Sequence, residues 1–255
     1  MNKNNGLNAI FLFAALHKIC LTESFIIGVN SNLAVPSGLK AMSMTGQEAS
    51  QVCKKNLTLP EFVVSVPLPQ ACRLLNSGAT ILVSSCHEEK RNLMAAAWNM
   101  PVDFDPPKLA VIIDKTTFTR SLIDASGEFA LCVPPLKLAD LTFTVGSNSG
   151  YGLTEKNKLQ LLDVETFPAS CVSAPLVRDC VGWLECRIIR EEHTQQAYDL
   201  VIAEVVAAWA DERVFASGRY RPVQEIPPEL RTIHHLGSGQ FVVPGQQVQA
   251  KAQQL

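Results

Sequence analysis

Runs of apolar and β-branched residues dominate the chain from residue 58 onward. Their lengths and alternation predict strands over residues 80–85, 108–114, 129–134, 183–192 and 199–212. Between them, residues 119–128 carry apolar positions at helical spacing, and Gly127 supplies a stop signal, so a short helix is predicted there. Many strands with a few inserted short helices favour a mainly β fold, a closed or nearly closed β-barrel, over a doubly wound sheet.

The first 57 residues form a separate segment. The apolar run at residues 7–34 is interrupted by His17, Lys18 and Glu23, and a membrane span needs about 20 mostly apolar residues. No convincing small-residue cleavage site follows it. We expect residues 1–57 to be a poorly ordered extension or to include a mis-assigned start, with a secretory or anchoring role as the alternative. Residues 58–245 then form the domain and residues 246–255 a tail.

An unusual stretch, NLMAAAW at residues 92–98, lies between strand signals. The consecutive alanines Ala95, Ala96 and Ala97 contribute little side chain to a core, so the pattern indicates that something approaches the backbone closely. On a strand, Ala96 would point to the face opposite Ala95 and Ala97.

Two polar segments are candidate ligand sites. In DKTTFTR (114–120), hydroxyls and the cations Lys115 and Arg120 surround a predicted helix start, where backbone amides favour an anion. Ordinary threonine capping of the helix is the alternative explanation. The loop VGSNSGYG (145–152) could donate amides to a phosphate or a ribose, or could be only a turn.

Composition excludes several classes of function. The chain has 255 residues and a formal net charge of -2, without a long basic cluster, so no nucleic-acid partner is expected. Eight cysteines without a C-x-x-C pair indicate reduced thiols of a cytoplasmic protein. None of the five histidines has metal-ligand spacing with a cysteine, so no metal site is expected. Of the adjacent His234 and His235, at most one should face a site.

Five blocks in order resemble a known family: RNLMAAAWNMPVDFDPPKLAVIIDKTTFTRSLIDASGEFALCVP, VGSNSG, APLVRDCVGWLECRI, EVVAAWADE and HHLGSGQF. Together they are similar to the flavin reductase-like family of FMN-binding split-barrel proteins, over about residues 70–245. The resemblance implies a six-stranded Greek-key FMN-binding split barrel, a homodimer, and FMN near the dimer interface. It also implies NADH or NADPH as the reductant in some members.

The same resemblance implies roles for particular residues. A planar isoalloxazine ring could lie against backbone only where side chains are short, and we expect Ala96 to lie under or beside it. The expected cofactor-binding residues are Asn92, Met94, Ala95, Ala96, Ala97 and Trp98 for the ring, Lys115, Thr116 and Thr119 for the phosphate, and Ser147, Ser149 and Gly150 in the following loop. This sequence departs from the family at Ala95, commonly a threonine, and in the segment YGLTEKNK, where Lys156 is the expected displaced basic residue and Lys158 the next choice.

For the chemistry, His235 lies in the block matching the family's C-terminal histidine motif and is expected to position the nicotinamide. Electrons would pass from the flavin to free flavin, a partner oxygenase, ferric iron or a small organic acceptor. Two alternatives remain: a non-catalytic FMN-binding electron carrier, and a split-barrel protein that binds another cofactor such as haem.

Overall fold

The structure is a computed structural model, which describes residues 58–74, 78–153 and 155–250. All of these residues belong to one unit, Ser43–Leu255. The predicted extension at residues 1–57 lies outside the described residues.

The described residues form fourteen strands. They are β1 (Val63–Ser65), β2 (Ile81–His87), β3 (Lys90–Ala96), β4 (Asn99–Phe104), β5 (Pro107–Ile112), β6 (Glu128–Val133), β7 (Thr166–Phe167), β8 (Leu176–Val177), β9 (Gly182–Ile189), β10 (Leu200–Asp211), β11 (Phe215–Ala216), β12 (Arg219–Tyr220), β13 (His234–Gly237) and β14 (Gln240–Val242).

Short helices interrupt these strands. The α-helices are α1 (Phe118–Ser126), α2 (Ala139–Ser147), α3 (Lys158–Leu161) and α4 (Glu192–Tyr198), and the 3-10 helices are Leu68–Leu74, Leu136–Leu138, Val223–Glu225 and Pro228–Leu230. Helix α1 begins at a Thr117 cap, whose side chain accepts from the Arg120 amide, and ends at Gly127 in the left-handed conformation, with φ 74. Both ends of α1 therefore follow from local sequence signals.

One antiparallel sheet organises the domain. Its strand order is β3-β2-β6-β9-β10-β5-β4, and β1 also pairs with β10. Because β3 and β4 are consecutive in the chain and yet are the two end strands of this path, the sheet curls back toward itself. The Asn99 side chain of β4 donates to the Ala79 carbonyl oxygen, just before β2, at 3.0 Å.

The barrel interior is filled by the inward side chains of these strands. Val83, Leu109, Leu131, Leu184 and Val201 are among its fully buried members. A second buried cluster lies between the other face of β2, β3, β6 and β9 and the segment that contains α2, α3 and β8. In β2 and β6, the side chains on both faces of the sheet are therefore buried, one set in each cluster. This explains the nearly continuous apolar runs of these two strands.

The mainly β prediction is confirmed, with differences in detail. The main sheet has eight strands rather than six, because the short β1 and the end strand β4 join it. The predicted strand at 183–192 ends at Ile189, where α4 soon follows, and the predicted loop at 145–152 begins only after α2 ends at Ser147.

The cysteine expectation is wrong at one position. Cys86, Cys132, Cys180 and Cys186 are free and buried, whereas Cys171 is disulfide-bonded. Cysteine usage therefore no longer indicates a uniformly reducing compartment. Among the described helices, none is long and apolar enough to cross a membrane.

Candidate functional site

The three alanines at the end of β3 have three different surroundings. Ala96 packs into the barrel core, 9% exposed. Ala95 lies on the opposite face, where a Cβ built on Gly146 of α2 would come within 3.1 Å of the Ala95 Cβ. Ala97 is exposed. The opposite orientation of Ala96 is as predicted, but Ala96 mainly serves the core, so Ala97 is the better candidate for contact with a ligand.

A small cavity of about 170 Å³ adjoins all three alanines. It is lined by Thr80, Ala95, Ala96, Ala97, Thr142, Phe143, Gly146, Ser147, His235 and Phe241. The backbone amide of His235 donates to Thr80 Oγ1 at 2.9 Å. The centroid of the His235 imidazole ring lies 5.3 Å from the centroid of the Phe241 ring. The structure therefore brings the predicted Ser147 and His235 to the alanine run. His234 is not in this lining.

A larger cavity of about 480 Å³ lies at the start of β3. It is lined by Glu89, Lys90, Arg91, Asn92, Phe118, Gly150, Tyr151, Gly152, Leu153, Glu155, Lys156, Asn157, Lys158 and Gln160. Three predicted residues, Asn92, Gly150 and Lys156, meet here. Four of the lining side chains are cationic and two are anionic, so the cavity favours an anion.

Asn92 is a buried polar group at this cavity, 2% exposed. Its Nδ2 donates to Thr119 Oγ1 at 2.7 Å, while its Oδ1 is without a hydrogen-bond partner among the described residues. Gly150 must be glycine here, because an added Cβ would lie 2.5 Å from that oxygen and 2.6 Å from Phe118 Cδ1. A buried carbonyl oxygen in need of a donor is a feature that a bound ligand or water can satisfy.

Lys158 is the other buried polar group of the larger cavity, 5% exposed. Its Nζ donates to the carbonyl oxygens of Leu93 and Val145, both at 3.0 Å, and so ties β3 to α2. Burial lowers the pKa of Lys158 to about 8. Lys156, the first choice from the sequence, lines the same cavity but does not share this burial.

The predicted phosphate cradle is differently arranged. Lys115 Nζ donates to the Gln196 carbonyl oxygen at 2.9 Å, and neither Lys115 nor Thr116 is in the lining of the two cavities. The Asp114 carboxylate accepts from the amide and the hydroxyl of Thr116, at 2.7 and 2.8 Å. Both hydrogen bonds lower the pKa of Asp114, and the one from the Thr116 amide has the larger effect. The hydrogen bonds at this helix start match the alternative explanation, in which a threonine caps the helix.

The remaining predicted residues are scattered. Thr119 is fully buried and bonded to Asn92, and Met94 packs against the barrel core. Trp98 is 55% exposed, and Ser149 Oγ accepts from the Tyr151 amide at 3.1 Å. Sequence reasoning missed Phe143 and Phe241 at the small cavity, since isolated aromatic residues carry no site signal.

The fold is a curled antiparallel β-sheet, and the two cavities along its end strand β3 are its candidate ligand site. A model of the "Flavin reductase like domain" matches residues 72–224. The chain belongs to the flavin reductase-like family of FMN-binding split-barrel proteins.

Individual relatives agree with this assignment. An uncharacterized protein of Escherichia coli, YddH, is 40% identical over 190 residues, which cover 73% of this chain and 97% of the relative. The FMN-binding domain of a flavin reductases-like enzyme from Shewanella baltica is 42% identical, with a TM-score of 0.71, over 74% of this chain and 97% of that one. An FMN-binding protein from Thermus thermophilus, with bound 1-cyclohex-2-enone, is 27% identical, with a TM-score of 0.58, over 68% and 90% of the two chains.

The burial of Lys158 predicts a pH dependence of stability. Its pKa is about 8 in the folded state against an ordinary value of 10.5, so unfolding takes up a proton between these two values. The contribution of Lys158 to stability therefore rises as pH increases from about 8 toward 10.5. Urea unfolding of the protein and of Lys158→Met across this range should give free-energy curves that diverge as pH rises. Parallel curves would show that the pKa of Lys158 is not lowered.

Proposed function

We propose that this protein binds FMN along β3 and is an oxidoreductase that passes hydride from NADH or NADPH to the flavin. The observation that carries the proposal is the pairing of two cavities on one strand. One is small, is bordered by alanines and has His235 as its one ionisable side chain, while the other is cationic and contains Lys158 and the Asn92 oxygen that has no hydrogen-bond partner among the described residues. Asn92 and Ala97 are five positions apart, or about 16 Å at strand spacing.

These surroundings fit the chemistry of FMN. The planar ring needs a surface with short side chains, and the phosphate needs cations and hydrogen-bond donors. At about 170 Å³ the small cavity is below the range of about 300–1,000 Å³ of small-molecule sites, so the ring would extend onto neighbouring exposed groups such as Trp98. The FMN-binding proteins of Shewanella baltica and Thermus thermophilus support the same cofactor.

Bound FMN would supply hydride and electron transfer, and the chain would supply position and surroundings. Lys158 would donate to the phosphate, and Asn92 Oδ1 would accept a hydrogen bond from a hydroxyl group of the cofactor. The small side chain of Ala97 would admit the ring to the backbone, and Phe143 and Phe241 would shield it from water. His235, at the mouth of the small cavity, would position the nicotinamide.

The acceptor we propose is a small organic molecule, with free flavin, ferric iron and a partner oxygenase as the other candidates. The cyclohexenone bound to the Thermus thermophilus protein supports this choice. We also propose a cytoplasmic location, where NADH and NADPH are available. The four buried free thiols are consistent with that location and the disulfide at Cys171 counts against it.

Ala97 and Ala96 form a matched pair for testing the ring position. Ala97→Leu should lower FMN affinity at least tenfold, about 1.4 kcal/mol, because its side chain would enter the ring site while the exposed position leaves the apoprotein stable. Ala96→Leu should instead destabilise the apoprotein by about 1–3 kcal/mol through overpacking of the core. FMN titration and apoprotein melting separate the two effects. Unchanged FMN affinity in Ala97→Leu would place the ring elsewhere.

The phosphate position is tested by comparing FMN with riboflavin. Lys158→Met should weaken FMN binding by about 1.5–3 kcal/mol more than it weakens riboflavin binding, the value of a charge-assisted hydrogen bond, because any loosening of α2 from β3 affects both ligands alike. Lys115→Ala is the matched control, and we expect it to change neither affinity, because Lys115 bonds to Gln196 outside the cavities. The reverse pattern, in which Lys115→Ala lowers the affinity for FMN but not for riboflavin, would support the phosphate site first predicted from the sequence.

Anaerobic spectroscopy tests the reaction itself. The purified protein with FMN should show flavin absorption, and stoichiometric NADH or NADPH should bleach it. His235→Ala should slow this bleaching while FMN affinity changes little. Flavin absorption that persists with both nucleotides would indicate the non-catalytic carrier, and a haem spectrum would contradict the cofactor.

A further inference from the structure

The larger cavity is bigger than the phosphate site that we propose within it. At about 480 Å³, it lies within the range of about 300–1,000 Å³ of small-molecule sites. The contacts that we propose for FMN use only its buried side, which Lys158 and Asn92 form. The isoalloxazine ring would lie at the other end of β3. Much of the larger cavity is therefore available to a second chemical group.

Two aromatic rings stand beside that remaining space. Phe118 and Tyr151 both line the cavity, and their ring centroids are 5.2 Å apart with an angle of 56° between the ring planes. Phe118 is half-buried, whereas Tyr151 is 54% exposed. The more buried ring thus supports the exposed one. An exposed aromatic ring that is held in place offers a surface on which a planar base can stack.

Three exposed cations, Lys90, Arg91 and Lys156, line the same space. None of them forms an ion pair or a side-chain hydrogen bond within the part of the chain that the structure describes. Glu89 and Glu155 also line the cavity, so three positive charges stand against two negative ones before Lys158 is added. Cations that no carboxylate neutralises can bind a phosphate, and an arginine can do so through two parallel hydrogen bonds.

The segment that supplies most of these groups is YGLTEKNK, residues 151–158, where this sequence departs from the family. It contributes Tyr151, Lys156 and Lys158 to the cavity. The Tyr151 amide donates to Ser149 Oγ at 3.1 Å, and Gly152 after it has a positive φ of 81. This local turn places the Tyr151 ring at the mouth of the cavity. Because the family pattern is altered here, membership of the family does not by itself imply what this space binds.

We propose that this space, the outer subsite, binds the adenosine phosphate part of a dinucleotide. The outer subsite is lined by Lys90, Arg91, Phe118, Tyr151 and Lys156. The adenine base would stack on Tyr151, and a phosphate would be held by Arg91 and Lys156. The proposal deepens the function proposed above and rests on it, because it takes the FMN phosphate to lie at Lys158 in the same cavity.

Two dinucleotides carry such a group. FAD is FMN extended at its phosphate by an adenylate, which would enter the outer subsite directly from a phosphate at Lys158. NADPH carries on its adenosine a 2′-phosphate that NADH lacks. Both present a planar base and a phosphate to the outer subsite, and they differ in whether the flavin or the reductant carries the group.

Titration calorimetry of the full-length apoprotein with AMP and with adenosine 2′,5′-bisphosphate tests the outer subsite without flavin. At least one of these nucleotides should bind saturably. Tyr151→Leu and Arg91→Gln should each weaken this binding about tenfold or more, because one removes the stacking ring and the other removes the phosphate donor. Both positions are exposed, so the two variants should fold normally.

Each variant has a matched control outside both cavities. Tyr198→Leu removes another exposed tyrosine whose ring contacts a neighbouring ring, that of His193. Arg178→Gln removes another exposed arginine, which is ion-paired with Glu165. Neither control should change the affinity for the nucleotides.

Flavin and nicotinamide titrations then decide which dinucleotide supplies the group. If it is FAD, the protein should bind FAD about tenfold or more tightly than FMN, and Tyr151→Leu should abolish this difference by lowering the affinity for FAD alone. If it is NADPH, FAD and FMN should bind alike, and NADPH should bleach bound FMN at concentrations about tenfold or more below those of NADH. Tyr151→Leu should then abolish the preference for NADPH.

Three results would each overturn the proposal. They are an apoprotein that binds neither nucleotide, an equal loss of affinity in the control variants, and a protein that prefers neither FAD over FMN nor NADPH over NADH. Nucleotide binding that Tyr151→Leu weakens, in a protein that does not bind FMN, would support the outer subsite and contradict the FMN site.

Discussion

The close approach of helix α2 to strand β3 is the constraint on which the candidate site depends. Gly146 and Ala95 leave no room for larger side chains between the two elements. Lys158 then fastens them together, because its ammonium group bonds to one carbonyl oxygen of each. The segment that joins α2 to α3 is thereby held across the start of β3, and Gly150 is held against Asn92.

This packing also decides the chemistry of the two cavities. At the end of β3, short side chains and the rings of Phe143 and Phe241 leave a space with one ionisable side chain, that of His235. At its start, burial keeps Lys158 and Asn92 poorly hydrated, which strengthens their interaction with any anion or donor that enters. The apolar and cationic ends of one strand are thus a direct result of how α2 and α3 pack on it.

Much of the fold could be predicted from the sequence, and less of the site. The continuous apolar runs of β5 and β6 and the Thr117 and Gly127 signals of α1 are local, so periodicity and capping were sufficient. The alanine run was ambiguous, because a short side chain suits a helix contact at Ala95, a core at Ala96 and a ligand at Ala97 equally well. Lys156 was preferred to Lys158 because the burial of a lysine at the start of a short helix cannot be seen in a linear pattern. The hydrogen bonds of Asp114 that cap the helix start beside Lys115 cannot be seen there either.

The central claim is that β3 and the elements packed on it form a binding site for FMN, and a melting measurement on the full-length apoprotein tests it most directly. A ligand that binds only the folded state at about 100 times its dissociation constant adds about 2.7 kcal/mol of stability. For a chain of this size, that gain should raise the melting temperature by roughly 5–10 °C. A melting temperature that stays the same in excess FMN would contradict the claim.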